Sequence, residues 1–266
     1  MNPPKNPIVL TVFTLLVCLF LVVPIAIIMP LSFSSGSFLS YPLPGLSLRW
    51  YETVLQPTPW LAAVKNSLII ALGATAIATT LGTLAAYGLT IANFPGRGII
   101  IGILISPLIV PMVIVALGIY FMFARMGLSG TFTGMILAHA AIGAPYVVIT
   151  VSAALRGFDR RLVLASSSLG ARPVTTFLSV ILPLVAPGVI SGALFAFMTS
   201  FDEVIIALFI ASPAQFTLPR QLFSGLREQL DPSIIAISTL VIVFTVGLLA
   251  AYEVLRSRAA RNQILR

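Results

Sequence analysis

The stretch Arg156–Pro187, RGFDRRLVLASSSLGARPVTTFLSVILPLVAP, decides how the rest of this chain is read. It is a long polar interruption between two strongly apolar runs. Asp159 is placed to cap a helix, because its carboxylate can accept from the orphan N–H groups of a first turn. That helix is predicted over residues 160–169. It stops at Gly170, which adopts the left-handed conformation without steric cost. Pro173 suits the first turn of a second helix, where its missing N–H would be unpaired in any case. Val174, Phe177, Leu178 and Ile181 then fall on one apolar face, with Thr175, Thr176 and Ser179 opposite. Pro183 and Pro187 are expected to break the chain before the next apolar run. Taken alone, this pattern also fits a pair of amphipathic surface helices with no special role.

The apolar runs on either side identify the medium. The chain has 266 residues, of which 59% are hydrophobic and 8% charged. A soluble domain carries about 25% charged residues, so this chain lacks the polar surface needed to face water. The fold class is therefore all-α and integral to a membrane. Six spans are predicted, over about 8–31, 66–91, 99–124, 132–154, 187–211 and 233–255, each near the ~20 residues a bilayer requires. The first is too long for the apolar core of a cleaved signal, which runs to roughly 15 residues. The 266 residues are read as one transmembrane domain, with residues 156–186 as its loop on the inner side.

Charge placement sets the orientation. With the N-terminus inside, Lys5, Arg97, Arg156, Arg160, Arg161, Arg172, Arg256, Arg258, Arg261 and Arg266 fall on the inner side. That is ten of the fifteen basic residues. Arg49, Lys65, Arg125, Arg220 and Arg227 fall outside. This bias follows the positive-inside rule and puts both termini in the cytoplasm. The net charge of +8 thus sits at span ends, not on a soluble face, which argues against nucleic acid as a partner.

Several local patterns bear on packing. Ala74, Ala78, Gly82 and Ala86 repeat every four residues, a ridge that lets helix backbones approach where lipid supplies no hydrophobic drive. Pro107 and Pro111 are expected to kink the third span. Trp50, Tyr51 and Trp60 suit a membrane interface, and Ser47–Leu55 reads either as a short surface helix or as a plain connector. The single cysteine, Cys18, excludes an internal disulfide and a multi-thiolate metal site.

Ionisable and polar groups inside spans are candidates for function. His139 and Tyr146 lie in the fourth span, His139 being either a structural hydrogen-bonding group or a lining of the pathway. Asp202 and Glu203 are the only adjacent carboxylates in a span. Asp202 falls ~22 Å along the helix from Pro187, in the outer part of the membrane. Successive residues diverge by about 100° around a helix, so one acid can face a pathway while the other pairs with an arginine or a helix end. A structural role for both is the alternative.

No GxxxxGK[ST] motif occurs, and neither lysine follows a glycine. The chain thus has no phosphate loop for ATP. No HExxH motif, Cys/His cluster or supported nucleophile–base group is present either, which argues against a membrane-embedded enzyme.

Gly170, nine residues, then Val180-Ile181-Leu182-Pro183 resembles the cytoplasmic signature of permease subunits of binding-protein-dependent ABC importers. That signature reads Glu-Ala-Ala, three residues, Gly, nine residues, Ile-x-Leu-Pro. Ala165 and Ser166 occupy the two alanine positions, and Leu164 stands where the family has Glu. RGFD at 156–159 and SFDE at 200–203 look closest to the spermidine/putrescine class. Leu108 and Met112 stand near the third-span prolines, where polyamine permeases often carry an acid.

The resemblance implies a type I ABC importer permease fold in a bacterial inner membrane. It implies that Ala165, Ser166, Gly170, Ala171, Arg172, Pro173, Leu182 and Pro183 belong to a coupling helix region that docks on an ATPase subunit. The implied partners are a second homologous permease, as a heterodimer, two ATPase subunits and a periplasmic substrate-binding protein. ATP and Mg would be bound by the ATPase and no cofactor by this chain. The expected substrate is a small cationic or zwitterionic solute, with polyamine first and an amino acid, opine or aminophosphonate as alternatives. A secondary transporter or channel acting alone is the rival reading; no clear internal repeat of the kind many such folds carry supports it.

Overall fold

A computed structural model describes residues 7–159, 161–228 and 232–264. Lys5, Arg160 and Arg266, counted above with the inner basic residues, lie outside the described residues. Among the described residues the regular elements are helical, apart from one isolated bridge between Ser34 and Leu46. Two units are distinguishable, residues 1–61 with 224–266, and residues 62–223.

The first unit contains α1 (Pro7–Leu31), α2 (Arg49–Leu55) and α12 (Ser233–Ile264). Helix α1 is exposed along its whole apolar length, as expected of a helix solvated by lipid. The connector that follows is tied back on itself. Tyr51 and Ser32 share a hydroxyl hydrogen bond of 2.6 Å, Tyr41 donates to the Ile27 carbonyl at 2.7 Å, and the rings of Phe33 and Tyr51 lie 5.2 Å apart. Residues 49–55 are thus a helix and not a plain connector, packed against α12.

The second unit is organised around α6 (Phe132–Arg156), most of whose circumference is buried. Thr131 starts it by accepting from the Gly134 N–H at 3.0 Å, the bond an N-cap hydroxyl makes. On one side lies α3 (Pro59–Ile91). Its Ala74, Ala78, Gly82 and Ala86 ridge is buried, and a Cβ on Gly82 would stand 2.8 Å from the Val147 Cβ. On another side lies α9 (Leu182–Phe201). There Gly192 faces Val147 and Thr150, Gly188 faces Ala154, and Ala196 faces Gly143. Small residues every four positions let α6 and α9 approach closely. A Cβ at Gly192 would stand 2.5 Å from the Thr150 hydroxyl and 2.8 Å from the Val147 Cα. Gly192→Ala must therefore push the helices apart, at a cost of about 1–3 kcal/mol. A lower thermal midpoint in detergent is the expected result, and an unchanged midpoint would show that α6 and α9 do not pack this closely.

Two predicted spans differ from expectation. The third is not one kinked helix over 99–124. It is α4 (Arg97–Ile105), a 3-10 turn over residues 106–108, and α5 (Met112–Arg125), and the two arms are bent by 104°. Pro111 sits at the break with an extended ψ of 129°, because it has no N–H to continue the ladder and disfavours helix in Val110 before it. With this bent pair counted as one span, six helical segments among the described residues have the length and composition to cross a membrane.

The fifth span starts earlier and ends earlier than 187–211. Pro183 and Pro187 do not break it. Helix α8 (Pro173–Thr176) runs through a π-helical turn over residues 177–181 directly into α9, and the Leu182 N–H donates to the Phe177 carbonyl five residues back. The wider π turn adds a residue ahead of Pro183 and shifts the helical phase. The expected apolar face is therefore divided. Ile181 is buried and Phe177 half-buried, whereas Val174 and Leu178 are exposed and Thr176 turns inward. At the other end α9 stops at Phe201. The chain resumes as α10 (Ile205–Ile210), so Asp202 and Glu203 occupy a break and not the body of a helix.

Candidate functional site

The polar stretch that opened the reading folds as a helical hairpin. Asp159 accepts from the Arg161 N–H through its carboxylate at 2.9 Å and from the Leu162 N–H through its carbonyl at 3.2 Å. These bonds start α7 (Arg161–Ser168). Gly170 ends it with φ of +80°. Its N–H donates to the Ser167 carbonyl at 3.0 Å, and the Ala171 N–H donates to the Ser166 carbonyl at 3.1 Å. This pair of bonds, three and five residues back, satisfies the last carbonyls of the helix. Arg172 then turns the chain, and Pro173 enters at the first turn of α8.

The two arms are joined by one side-chain bond, between the Ser166 and Thr176 hydroxyls at 2.8 Å, both residues buried. Sequence reading had placed Ser166 as a stand-in for alanine and Thr176 on an outward face. No local residue pattern announces their pairing. Ala165, Gly170, Ala171, Arg172 and Pro173 are brought together in this hairpin with Ser166. Leu182 and Pro183 lie beyond the π turn, at the start of α9.

The hairpin presents apolar side chains outward. Leu169 is 88% exposed, Leu164 69% and Val174 69%. Leu169 and Leu164 belong to no span-length apolar helix. The described residues leave these apolar side chains uncovered, the kind of exposure that marks an interaction surface. Arg161 and Arg172 stand on the same hairpin.

The second group of candidates does not form one constellation. Glu203 caps α10, its Oε1 accepting from the Ile205 N–H at 2.6 Å and the Ile206 N–H at 3.0 Å. At the other end of the same helix, Arg220 of α11 (Leu218–Glu228) donates to the Ala207 carbonyl at 2.9 Å and to the Ala211 carbonyl. Its guanidinium lies 3.8 Å over the Phe216 ring, and burial pushes its pKa below the ordinary guanidinium value. A carboxylate at the N-terminus and a guanidinium at the C-terminus both oppose the helix dipole and stabilise a helix of only six residues. Sequence reading places Arg220 only among the external basic residues and gives no sign of this role.

Asp202 is exposed, and its carboxylate makes no hydrogen bond or ion pair to the described residues. His139 is fully buried and joins α6 to α9. Its Nδ1 lies 2.9 Å from the Ser200 hydroxyl and 3.1 Å from the Ser200 carbonyl. Ser200 is two residues from Asp202, so His139 stands beneath the break without opening onto it. Tyr146 stacks on Phe195 with ring centroids 6.2 Å apart, about 10 Å further along α6 than His139. Of the four candidates, only Asp202 offers a free charge.

Residues 78–261 match the family described as binding-protein-dependent transport system inner membrane components. The chain is similar to the spermidine/putrescine transport system permease protein PotC of Haemophilus influenzae, at 32% identity over 91% of this chain and 94% of that one. It is similar to the putrescine transport system permease protein PotI of Escherichia coli, at 35% identity over 92% of this chain and 89% of that one. Among solved structures it resembles a bacterial ABC transporter involved in the import of the acidic polysaccharide alginate. The TM-score is 0.72 at 17% identity, over 96% of this chain and 99% of that one.

Proposed function

The chain belongs to the family of binding-protein-dependent transport system inner membrane components, and from that premise we propose how it carries out import. It is a multi-pass inner-membrane permease of the ABC importer type, a transport component and not itself an enzyme. The finer reading is that residues 159–176 are the lever by which an ATPase subunit moves it. The observation that carries this is the hairpin, whose Leu164, Leu169 and Val174 the described residues leave exposed. Leu164 replaces the acid of the signature, so docking relies on apolar contact at that position.

The full importer contains two such ATPase subunits, which bind ATP and Mg, a second, different permease and a substrate-binding protein on the outer face. Both termini and the hairpin lie in the cytoplasm, in line with the charge bias along the chain. ATP-driven closure of the ATPases favours one of two access states, because it engages the hairpins differently in each. The substrate is a polyamine such as spermidine or putrescine. The two curated relatives described above carry those substrates in their names, and Asp202 offers a free carboxylate to a cation.

Reconstitution tests this reading. The chain, its candidate ATPase, a second permease and the binding protein are placed in liposomes and supplied with labelled spermidine or putrescine. Uptake that requires both ATP and the binding protein is expected. Uptake by this chain alone, without ATP, would replace the reading with that of a stand-alone carrier.

A further inference from the structure

Near the root of the hairpin, α3, α4 and α6 leave a pocket of about 170 Å³. Arg97, in the first turn of α4, and Arg156, in the last turn of α6, line it together with Thr90 and Ser152. No carboxylate lines it. Arg97 makes a long 3.4 Å bond to Asn93, and Arg156 makes no side-chain bond or ion pair to the described residues. Two cationic side chains lining one cavity repel each other unless an anion lies between them. Guanidinium forks and hydroxyls together suit the oxygens of a phosphate group.

The remaining wall decides which phosphate. Ile101 and Ile105 follow Arg97 at four-residue spacing on the same face of α4 and line the pocket with Val148 and Ile149 of α6. The charged end therefore opens onto apolar helix surface. A ligand that satisfies both has an anionic phosphate head and an apolar tail. We propose that Arg97 and Arg156, with Thr90 and Ser152, bind the headgroup of an anionic glycerophospholipid while its acyl chain lies along α4. The placement rests on the orientation proposed above, which puts these helix ends at the cytoplasmic leaflet, where basic pockets between spans meet anionic lipid. Arg156 lies three residues before the Asp159 cap, so the bound lipid anchors the base of the hairpin.

The full chain, purified in mild detergent, is titrated in native mass spectrometry with phosphatidylglycerol, phosphatidylcholine or inorganic phosphate. The wild type is expected to retain one phosphatidylglycerol about tenfold more tightly than phosphatidylcholine. R97Q/R156Q should lose that preference, while R125Q, at the opposite end of the unit, should keep it. Equal retention of the two lipids by the wild type overturns the proposal, whether or not the double variant folds. So does a folded R97Q/R156Q that keeps the preference. Inorganic phosphate that competes fully with the lipid would make this a free-anion site and likewise overturns it. Because the readout is binding, it is independent of whether ATP-dependent uptake is observed.

Discussion

Gly170→Val is expected to abolish uptake, with a loss of tenfold or more, and to release the ATPase from the purified complex. Gly170 has φ of +80°, and nothing stands within 4 Å of where a Cβ would be. The penalty is therefore one of backbone conformation alone. A left-handed residue with a Cβ costs about 1–2 kcal/mol, and a β-branched one suffers most. The hairpin has few bonds with which to resist. If the turn unwinds, Ala171 and Gly170 lose their bonds to Ser166 and Ser167, and the Ser166–Thr176 link loses its register. Asn tolerates this conformation, so Gly170→Asn should retain most of the wild-type uptake. Co-purification and uptake measured on both variants separate conformation from bulk. If Val and Asn were equally harmful, the requirement at 170 would be for a small surface against the partner. If neither changed transport, the hairpin would not be the lever.

The division between what residue patterns reveal and what they hide follows from the range of the forces involved. The hairpin was legible because its determinants are local. An Asp cap, a Gly stop and a Pro start each act within one turn of helix. The α3 ridge was legible for the same reason, since a four-residue repeat of small side chains has a single packing use in a bilayer. The bends were not. Whether Pro107 and Pro111 kink a helix or part it by 104° depends on what surrounds the freed carbonyls, and that is tertiary. The π turn before Pro183 is likewise invisible in composition, as is the Ser166–Thr176 bond between the two arms. The fate of Glu203 lay between these cases. Two acids directly before the apolar run Val204–Ile210 form an N-cap pattern, but reading that run as the continuation of a span concealed it. Arg220 was beyond reach, because its carbonyl partners lie nine and thirteen residues away in a fold set by packing.

That distinction between the two acids yields opposite expectations for substitutions one residue apart. Glu203 is engaged by two backbone N–H groups, and α10 behind it buries Ile206, Ala207 and Ile210. Glu203→Ala removes the cap at a cost of about 1–2 kcal/mol and should lower the thermal midpoint by several degrees. Glu203→Gln keeps an acceptor oxygen and should fall between. Asp202 has no bond to lose among the described residues, so Asp202→Asn should leave the midpoint unchanged. A charged hydrogen bond to a substrate ammonium contributes about 1.5–3 kcal/mol, so the same change should weaken polyamine uptake roughly ten- to a hundredfold. Asp202→Lys, which turns attraction into repulsion, should be worse while remaining folded. Uptake and thermal midpoint measured side by side on the four variants decide the matter. Should Asp202→Asn transport normally while Glu203→Gln fails without loss of stability, the pathway acid is Glu203 and its capping bonds must open for substrate to pass. Should all the folded variants transport normally, recognition of the cation rests with the binding protein, and this permease discriminates by shape alone.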